Sequence, residues 1–427
     1  MAFKHLTLLF ALLTVLSTTA LGQNSPHLFS FYENGKVGFM DSTGHTLIAP
    51  RFDATREFSQ GRAGVLVGNK WGFIDTQGQL IVKPQFDGVA DYEDSMALVW
   101  NNKWDDYEVE EAIYGYVDYY GKVVREPQFG MAFDFHEGLA SVNVGDYDNP
   151  LWGFIDHTGR MVIDAQYTDY GRFGHGLAAV RDKTGKKGYI DRNGRMVIPP
   201  QFDGAGYFCQ GLALVRIGSD TATRYGFIDT NGNYVVQPKY GEVWTFHDSG
   251  YATVKTSDYI HSKAYKHPLD AGKRGIIDRQ GREVVPAVFH SASIPSEGFS
   301  AVKAASKWGY INLNRQYIVE PQYSTAGDFS EGLAAVSKNG KYGYIDHTGQ
   351  VVIPLQFDKA WFFSEGLACV QIGDKQGFID HNGKIIIEAK YNIAFHFYHG
   401  LALVRWNGHE GYIDKSGRII KQWPYND

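Results

Sequence analysis

A four-residue pattern, Gly followed by an aromatic or aliphatic residue, an aliphatic residue and Asp (once Asn), recurs eleven times along the chain. It begins at Gly38, Gly72, Gly115, Gly153, Gly188, Gly226, Gly275, Gly309, Gly343, Gly377 and Gly411. Neighbouring occurrences lie 34, 43, 38, 35, 38, 49, 34, 34, 34 and 34 residues apart. A period of 34 with occasional insertions is what one repeated supersecondary module produces, each unit burying its apolar face only against its neighbours. Functional differences therefore have to be sought where the repeat is broken.

One unit shows how the module is built. Tyr342–Ile345 and Gln350–Ile353 are β-branched and aromatic runs that flank Asp346-His-Thr-Gly349, which reads as a hairpin with a type I turn and a left-handed glycine. Asp suits the first position because its carboxylate accepts a backbone N–H two residues on, and Gly suits the last because φ > 0 costs it nothing. The same chemistry recurs at Gly72, Asp75 and Gly78, at Gly153, Asp156 and Gly159, and at Gly343, Asp346 and Gly349, which are structural positions on this reading. Prolines such as Pro84, Pro127, Pro200 and Pro321 follow the second run and are expected to end its pairing. A third run, Gly-Leu-Ala-x-Val, keeps a small residue at its centre: Ala63, Ala140, Ala178, Ala213, Ala252, Ala334, Ala368 and Ala402, with Ser300 the exception. Close packing permits so strict a size limit only where another unit's backbone or ring approaches.

The expected fold is all-β: a tandem array of about eleven three-stranded antiparallel units of about 34 residues each. His27–Phe31 reads as a first strand and Ile419-Ile420 as a last one, so both ends look like complete units. Eleven units also exceed the four to eight blades usual in propellers, so an open superhelical solenoid is the preferred expectation, with a closed propeller-like ring as the alternative.

Residues 1–22 read as a signal peptide: Lys4 and His5, an apolar run from Leu6 to Leu16, then Ala20-Leu21-Gly22. The run is too short to span a bilayer comfortably, so no transmembrane segment is expected in the mature chain. The remaining 23–427 read as a single β-repeat domain. Cleavage would remove one Lys and no acid, moving the net charge from −6 to 40 minus 47, or −7. An acidic chain without clustered Lys and Arg has no electrostatic reason to bind nucleic acid or anionic lipid. Cys209 and Cys369 occupy different places in their repeats, and no disulfide is expected.

With Trp71-Gly72, Trp152-Gly153 and Trp308-Gly309, two of them preceded by Lys70 and Lys307, the chain resembles the WG (KWG) repeat of bacterial proteins over about residues 27 to 422. The resemblance implies an exported or surface-associated β-repeat protein, in the periplasm, on the cell surface or secreted. It carries no catalytic residue set. Trp is replaced before most of the glycines, for example by Val37, Lys187, Tyr225 and Arg274.

Chemistry beyond the repeat is sparse. Each turn offers one carboxylate with the next about 34 residues away, unlike a calcium site. His157, His347 and His381 read as solvated turn residues, and His396 with His399 lacks a third ligand of matching spacing. No metal, cofactor or catalytic residue is assigned. The insertions all fall between the Gly-Leu-Ala run and the next Gly-aromatic run, so they should gather on one side, where repeat proteins carry binding differences. Trp100, Trp104, Tyr107, Tyr259 and Tyr265 in the two longest insertions are the candidate binding residues. The expected function is a non-enzymatic, monomeric binding scaffold for a protein or cell-envelope glycan. The alternative is a glycan-active hydrolase with acids in a central groove.

Overall fold

The computed structural model describes residues 27–425, apart from 105–109, 146–148, 220–222, 245, 247–248 and 257–271. The expected signal peptide thus lies outside the described residues. The described chain forms eleven antiparallel sheets. The first contains β1 (Phe29–Glu33), β2 (Lys36–Met40) and β3 (Thr46–Phe52); the second contains β4 (Ala54–Thr55), β5 (Arg62–Val67), β6 (Lys70–Asp75) and β7 (Leu80–Phe86), side by side in that order. Nine more sheets of the second kind follow, at 88–129, 131–167, 173–202, 204–240, 242–289, 291–323, 325–357, 359–391 and 393–424. Numbered in chain order, these are blades 1 to 11. The expected three-stranded unit is corrected to a four-stranded blade. The missed strand is usually only two residues long, as at Ala54–Thr55 and Thr325–Ala326, too short to show an alternation.

The recurrent glycine is explained by what lies above it. Trp71 pairs with Phe86 and Phe73 with Val82, so β7 carries a bulge opposite Gly72. In blade 4 a Cβ on Gly153 would stand 2.6 Å from the Ile163 carbonyl oxygen and 2.8 Å from the Ala165 nitrogen, both main-chain atoms. Only a residue without a side chain admits the bulge. The prolines do not end the pairing: Pro84 lies inside β7, at the bulge, where a missing N–H is tolerated.

The Asp turns form as expected. Asp75 accepts hydrogen bonds from the Gln77 and Gln79 N–H groups (3.0 and 2.8 Å), Asp156 from Thr158 and Arg160 (2.9 and 3.1 Å), and Asp346 from Thr348 and Gln350 (2.9 and 3.0 Å). Gly78, Gly159 and Gly349 have φ of 78°, 76° and 83°.

These turn glycines also set the stacking of blades. A Cβ on Gly194 would meet Ile163 of the preceding blade at 3.2 Å, and one on Gly383 would meet Ile353 at 2.9 Å. Gly44 of blade 1 meets Ile420 of blade 11 in the same manner, at 2.8 Å. Around that contact, Lys421 bonds Glu33 (3.3 Å), the Phe29 and Tyr412 rings lie 5.3 Å apart, and Phe29, Phe31, Met40, Leu401 and Trp423 share one buried core. The array is therefore a closed ring, a β-propeller, and the open solenoid is overturned. Closure needs no exchanged strand: Phe29 stands where blade 2 has Ala63, both lying two residues before the partner of a repeat glycine, and its bulk helps to fill the seam.

Between blades the core repeats an aromatic pair, one ring from the strand that carries the repeat glycine and one from the next blade's first strand or the residues just after it. Phe39–Phe58, Phe73–Tyr92, Tyr116–Phe135, Phe154–Phe173, Tyr189–Phe208, Phe227–Phe246, Tyr310–Phe329, Tyr344–Phe363 and Phe378–Phe397 have centroids 4.7 to 5.1 Å apart. Such pairs contribute about 0.5–1.5 kcal/mol each beyond area burial. Ala334 is wholly buried in one of these interfaces with Tyr310, Val319 and Tyr323 of the preceding blade, as its size limit implies.

Candidate functional site

The first strands converge on the axis, because groups on blades two apart meet there. Arg172 of blade 5 reaches across blade 4 to Glu93 of blade 3 (Nη2 to Oε1, 3.7 Å). Beside it Arg56 forks onto Asp91 (2.6 and 3.2 Å), and His136 meets Glu93 at 3.1 Å. This sector of the inner rim is rich in acid. Burial, with the charge of Asp91, raises the Glu57 carboxyl above its ordinary range, and burial with Glu93 does the same to Asp134. Glu93 goes the other way: burial opposes ionisation, but the His136 hydrogen bond and the charges of His136 and Arg172 outweigh it.

On the other side of blade 1 the rim is aromatic. Trp361 and Phe362 on blade 10 are 37% and 45% exposed, and Phe395 and Tyr398 on blade 11 are 39% and 51% exposed. Phe362 leans on His396, 5.1 Å between centroids. A groove of about 390 Å³ runs between the first strands of blades 9 and 10, with Asp328 on one wall and Trp361 and Phe362 on the other. Its floor is fixed by Ser330, whose hydroxyl donates to the Phe363 carbonyl (2.7 Å), and by Tyr344, whose hydroxyl donates to the Trp361 carbonyl (2.8 Å). Burial lowers the His396 imidazole below its ordinary value, against the pull of Glu365. A surface that combines exposed rings with carboxylates suits a ligand that is apolar in one part and cationic or hydroxylated in another.

One face of the ring carries the turns between first and second strands together with the Asp turns. There each blade grips the next: Glu297, Glu331 and Glu365 accept the N–H of Gly332, Gly366 and Gly400 (3.1, 3.0 and 3.0 Å). The turn histidines are not merely solvated. His347 pairs with Glu297 (2.7 Å), His381 with Glu331 (3.1 Å) and His157 with Asp94 (3.4 Å), and His381 stacks on Phe363 at 4.3 Å. These groups hold blades together, so they are not candidate ligands.

The insertions join second to third strands and therefore share the opposite face. Trp100 is half-buried against the Gly88 backbone and 6.1 Å from Tyr114. Trp104 ends the lengthened strand Met96–Trp104, paired with Glu110, and nothing further of its side chain is described. Tyr107, Tyr259 and Tyr265 lie outside the described residues. Of the five candidates, Trp100 alone has a described side chain. Sequence reasoning passed over the rim residues, although an aromatic three residues before the glycine of the Gly-Leu-Ala run (Phe58, Phe135, Phe208, Phe329, Phe363, Phe397) marks that segment in unit after unit. Among the described residues no helix is long and apolar enough to cross a membrane.

The profile of the family described as "WG containing repeat" matches residues 38–71, 71–104, 114–147, 152–186, 188–219, 225–259, 275–308, 308–342, 342–375 and 377–408, and the chain belongs to that family. No curated protein sequence matches. Solved structures give only a distant likeness. The extracellular domain of a putative hybrid two-component system from B. thetaiotaomicron is 9% identical over 94% of this chain, with a TM-score of 0.30. This chain covers 63% of that domain, less than two thirds of its length. BamB from Moraxella catarrhalis is 11% identical, covering 69% of this chain and 96% of its own, TM-score 0.26. Apo AztD from Citrobacter koseri is 9% identical, covering 86% and 92%, TM-score 0.30.

Proposed function

We propose that this WG-repeat propeller is a non-enzymatic binding scaffold that holds a protein partner at its inner rim. The observation that carries the reading is the exposed aromatic platform Trp361, Phe362, Phe395 and Tyr398, with the acidic sector of blades 2 to 4 beyond blade 1. Stiff aromatic side chains give large contact area at small entropic cost, and the nearby carboxylates select for Lys or Arg on the partner. The scaffold acts as a monomer outside the cytoplasm. Export rests on the apolar run from Leu6 to Leu16, and N-terminal sequencing of the mature protein tests it.

The test of binding is affinity capture from envelope and culture fractions with the wild type and with a Trp361→Ala, Phe362→Ala, Phe395→Ala variant. The variant is expected to fold and to lose the partner. Capture of the same proteins by both would refute the rim as the binding site, and retention of polysaccharide in place of protein would make the ligand a glycan. A hydrolase reading has one observation in its favour, the opposed shifts of Glu93 and Asp134, which resemble a base and an acid held apart by their surroundings. Hydrolysis of a cell-wall glycan that Glu93→Gln and Asp134→Asn both abolish would establish it.

A further inference from the structure

We infer that the cleft between blades 7 and 8, on the face that carries the Asp turns, binds a tetrahedral oxyanion, the phosphate or sulfate group of a larger ligand. The cleft has a volume of about 560 Å³ and is lined by Tyr251, Arg279, Arg282, Val284, Leu313 and Arg315, with Asp278 and Glu283. It lies at the boundary where the stacking rule of the ring is broken. At the corresponding place other blades carry a glycine, as Gly281, Gly349, Gly383 and Gly417 do, lying on an aliphatic side chain of the blade before. Here the turn is Asn312-Leu-Asn-Arg315. The turn itself is kept: the Arg315 N–H donates to the Asn312 carbonyl (2.9 Å), and Asn312 Oδ1 accepts from Asn314 and Gln316 (both 3.0 Å). Arg315 is consequently held at φ 64°, a conformation that disfavours any residue with a Cβ. A strained residue that a glycine would relieve is a mark of a retained role.

The charges in the cleft do not cancel. Asp278 Oδ2 is taken up by Arg282 (2.7 Å) and its Oδ1 by the Gln280 and Arg282 N–H groups (3.0 and 2.9 Å). Glu283 accepts from the Tyr240 hydroxyl (3.0 Å) and the Ala287 N–H (3.2 Å). Arg279 lies over Gly250, its Nε 3.2 Å from the point where a Cβ would stand. Among the described residues neither Arg279 nor Arg315 has a carboxylate within ion-pair distance. Three guanidinium groups (Arg279, Arg282 and Arg315) face two carboxylates (Asp278 and Glu283), which leaves one excess positive charge in a chain of net charge −6, and the planar forks of Arg279 and Arg315 suit phosphate or sulfate oxygens. The site is separate from the inner rim and stands whether or not that surface binds protein.

Calorimetric titration of the full-length mature protein with sodium sulfate and, separately, sodium phosphate, against sodium chloride of equal ionic strength, tests the inference. Saturable binding of at least one of the two oxyanions is expected, at least tenfold weaker in Arg279→Gln and in Arg315→Gly. Arg315→Gly also relieves the strained turn, so its melting midpoint in anion-free buffer should equal or exceed that of the wild type, which keeps loss of binding distinct from loss of fold. Binding of sulfate alone or phosphate alone identifies the class of ester. Absence of saturable binding of both, or unchanged affinity in both variants, would overturn the assignment.

Discussion

Replacing Gly153 by Ala isolates the reason for the recurrent glycine. The added methyl would stand 2.6 Å from the Ile163 oxygen, 2.8 Å from the Ala165 nitrogen and 2.9 Å from Met161 Sδ. Met161 can swing aside, but the other two are main-chain atoms of the bulged strand and can yield only if the bulge moves. Overpacking of this kind costs about 1–3 kcal/mol, and the upper end applies because no rotamer change relieves it. At roughly 2.1 cal/mol/K of unfolding entropy per residue, a ring of roughly 400 residues loses about 3 to 4 °C of melting midpoint for about 3 kcal/mol. Gly340→Ala is the control. Gly340 has φ 77° and nothing within 4 Å of a would-be Cβ, so it carries only the left-handed penalty, about 1 kcal/mol, or about 1 °C. Differential scanning calorimetry of both variants decides the matter. If Gly153→Ala costs no more than Gly340→Ala, the steric explanation of the repeat glycine is wrong.

Three further outcomes are expected. Ala334→Leu, which forces three extra carbons into the packed interface beside Tyr310 and Tyr323, should lower stability by about 1–3 kcal/mol in denaturant titration, and an unchanged midpoint would show that the site has room. His27 at the seam is held down to about 4 by burial and by His399, so the unfolded chain binds more protons than the folded one between about pH 6.5 and 4. Stability should therefore fall as pH drops through that window, less steeply in His27→Gln. Below it, the turn carboxyls of Asp41, Asp156, Asp346 and Asp414, held below their ordinary value by hydrogen bonds from their own turns, should add a second decline; a wild type and variant with identical pH profiles would contradict the first part. Shortening the insertions at 100–112 and 257–273 to the standard length should leave the melting midpoint within error, because the stability of a repeat array is a sum of intrinsic repeat terms and nearest-neighbour interface terms. It should abolish partner capture only if the recognition surface lies on that face and not at the rim.

Most of the module was legible in the sequence because its causes are local. Asp75, Gly78 and the alternation around them specify a turn within five residues, and the size limit at Ala334 announces a close neighbour. The fourth strand was illegible because Ala54–Thr55 is held by its partner and by the Phe58 ring packed on Phe39, not by any pattern of its own. Closure was illegible for a related reason. Gly44 looks like every other turn glycine, and nothing in its neighbourhood says that the side chain beneath it comes from Ile420. The rim and the blade 7–8 cleft depend on residues that only the ring makes adjacent, such as Arg172 with Glu93 across an intervening blade. The two longest insertions drew attention through their aromatic content, yet Trp100 lies against its own blade.

The seam has a consequence for the order of assembly. Ten blade interfaces join segments adjacent in sequence, whereas the contact of Lys421 with Glu33 spans 388 residues. Bringing chain ends together over that distance instead of one repeat length costs about 2 kcal/mol more in loop entropy. Assembly can therefore run as a zipper from any blade along the chain during synthesis, leaving a curved, unclasped strip whose two ends meet last. Loss of the seam alone would return the molecule to that strip with every other interface intact. Blades 1 and 11 should accordingly be the first to exchange their amide protons together.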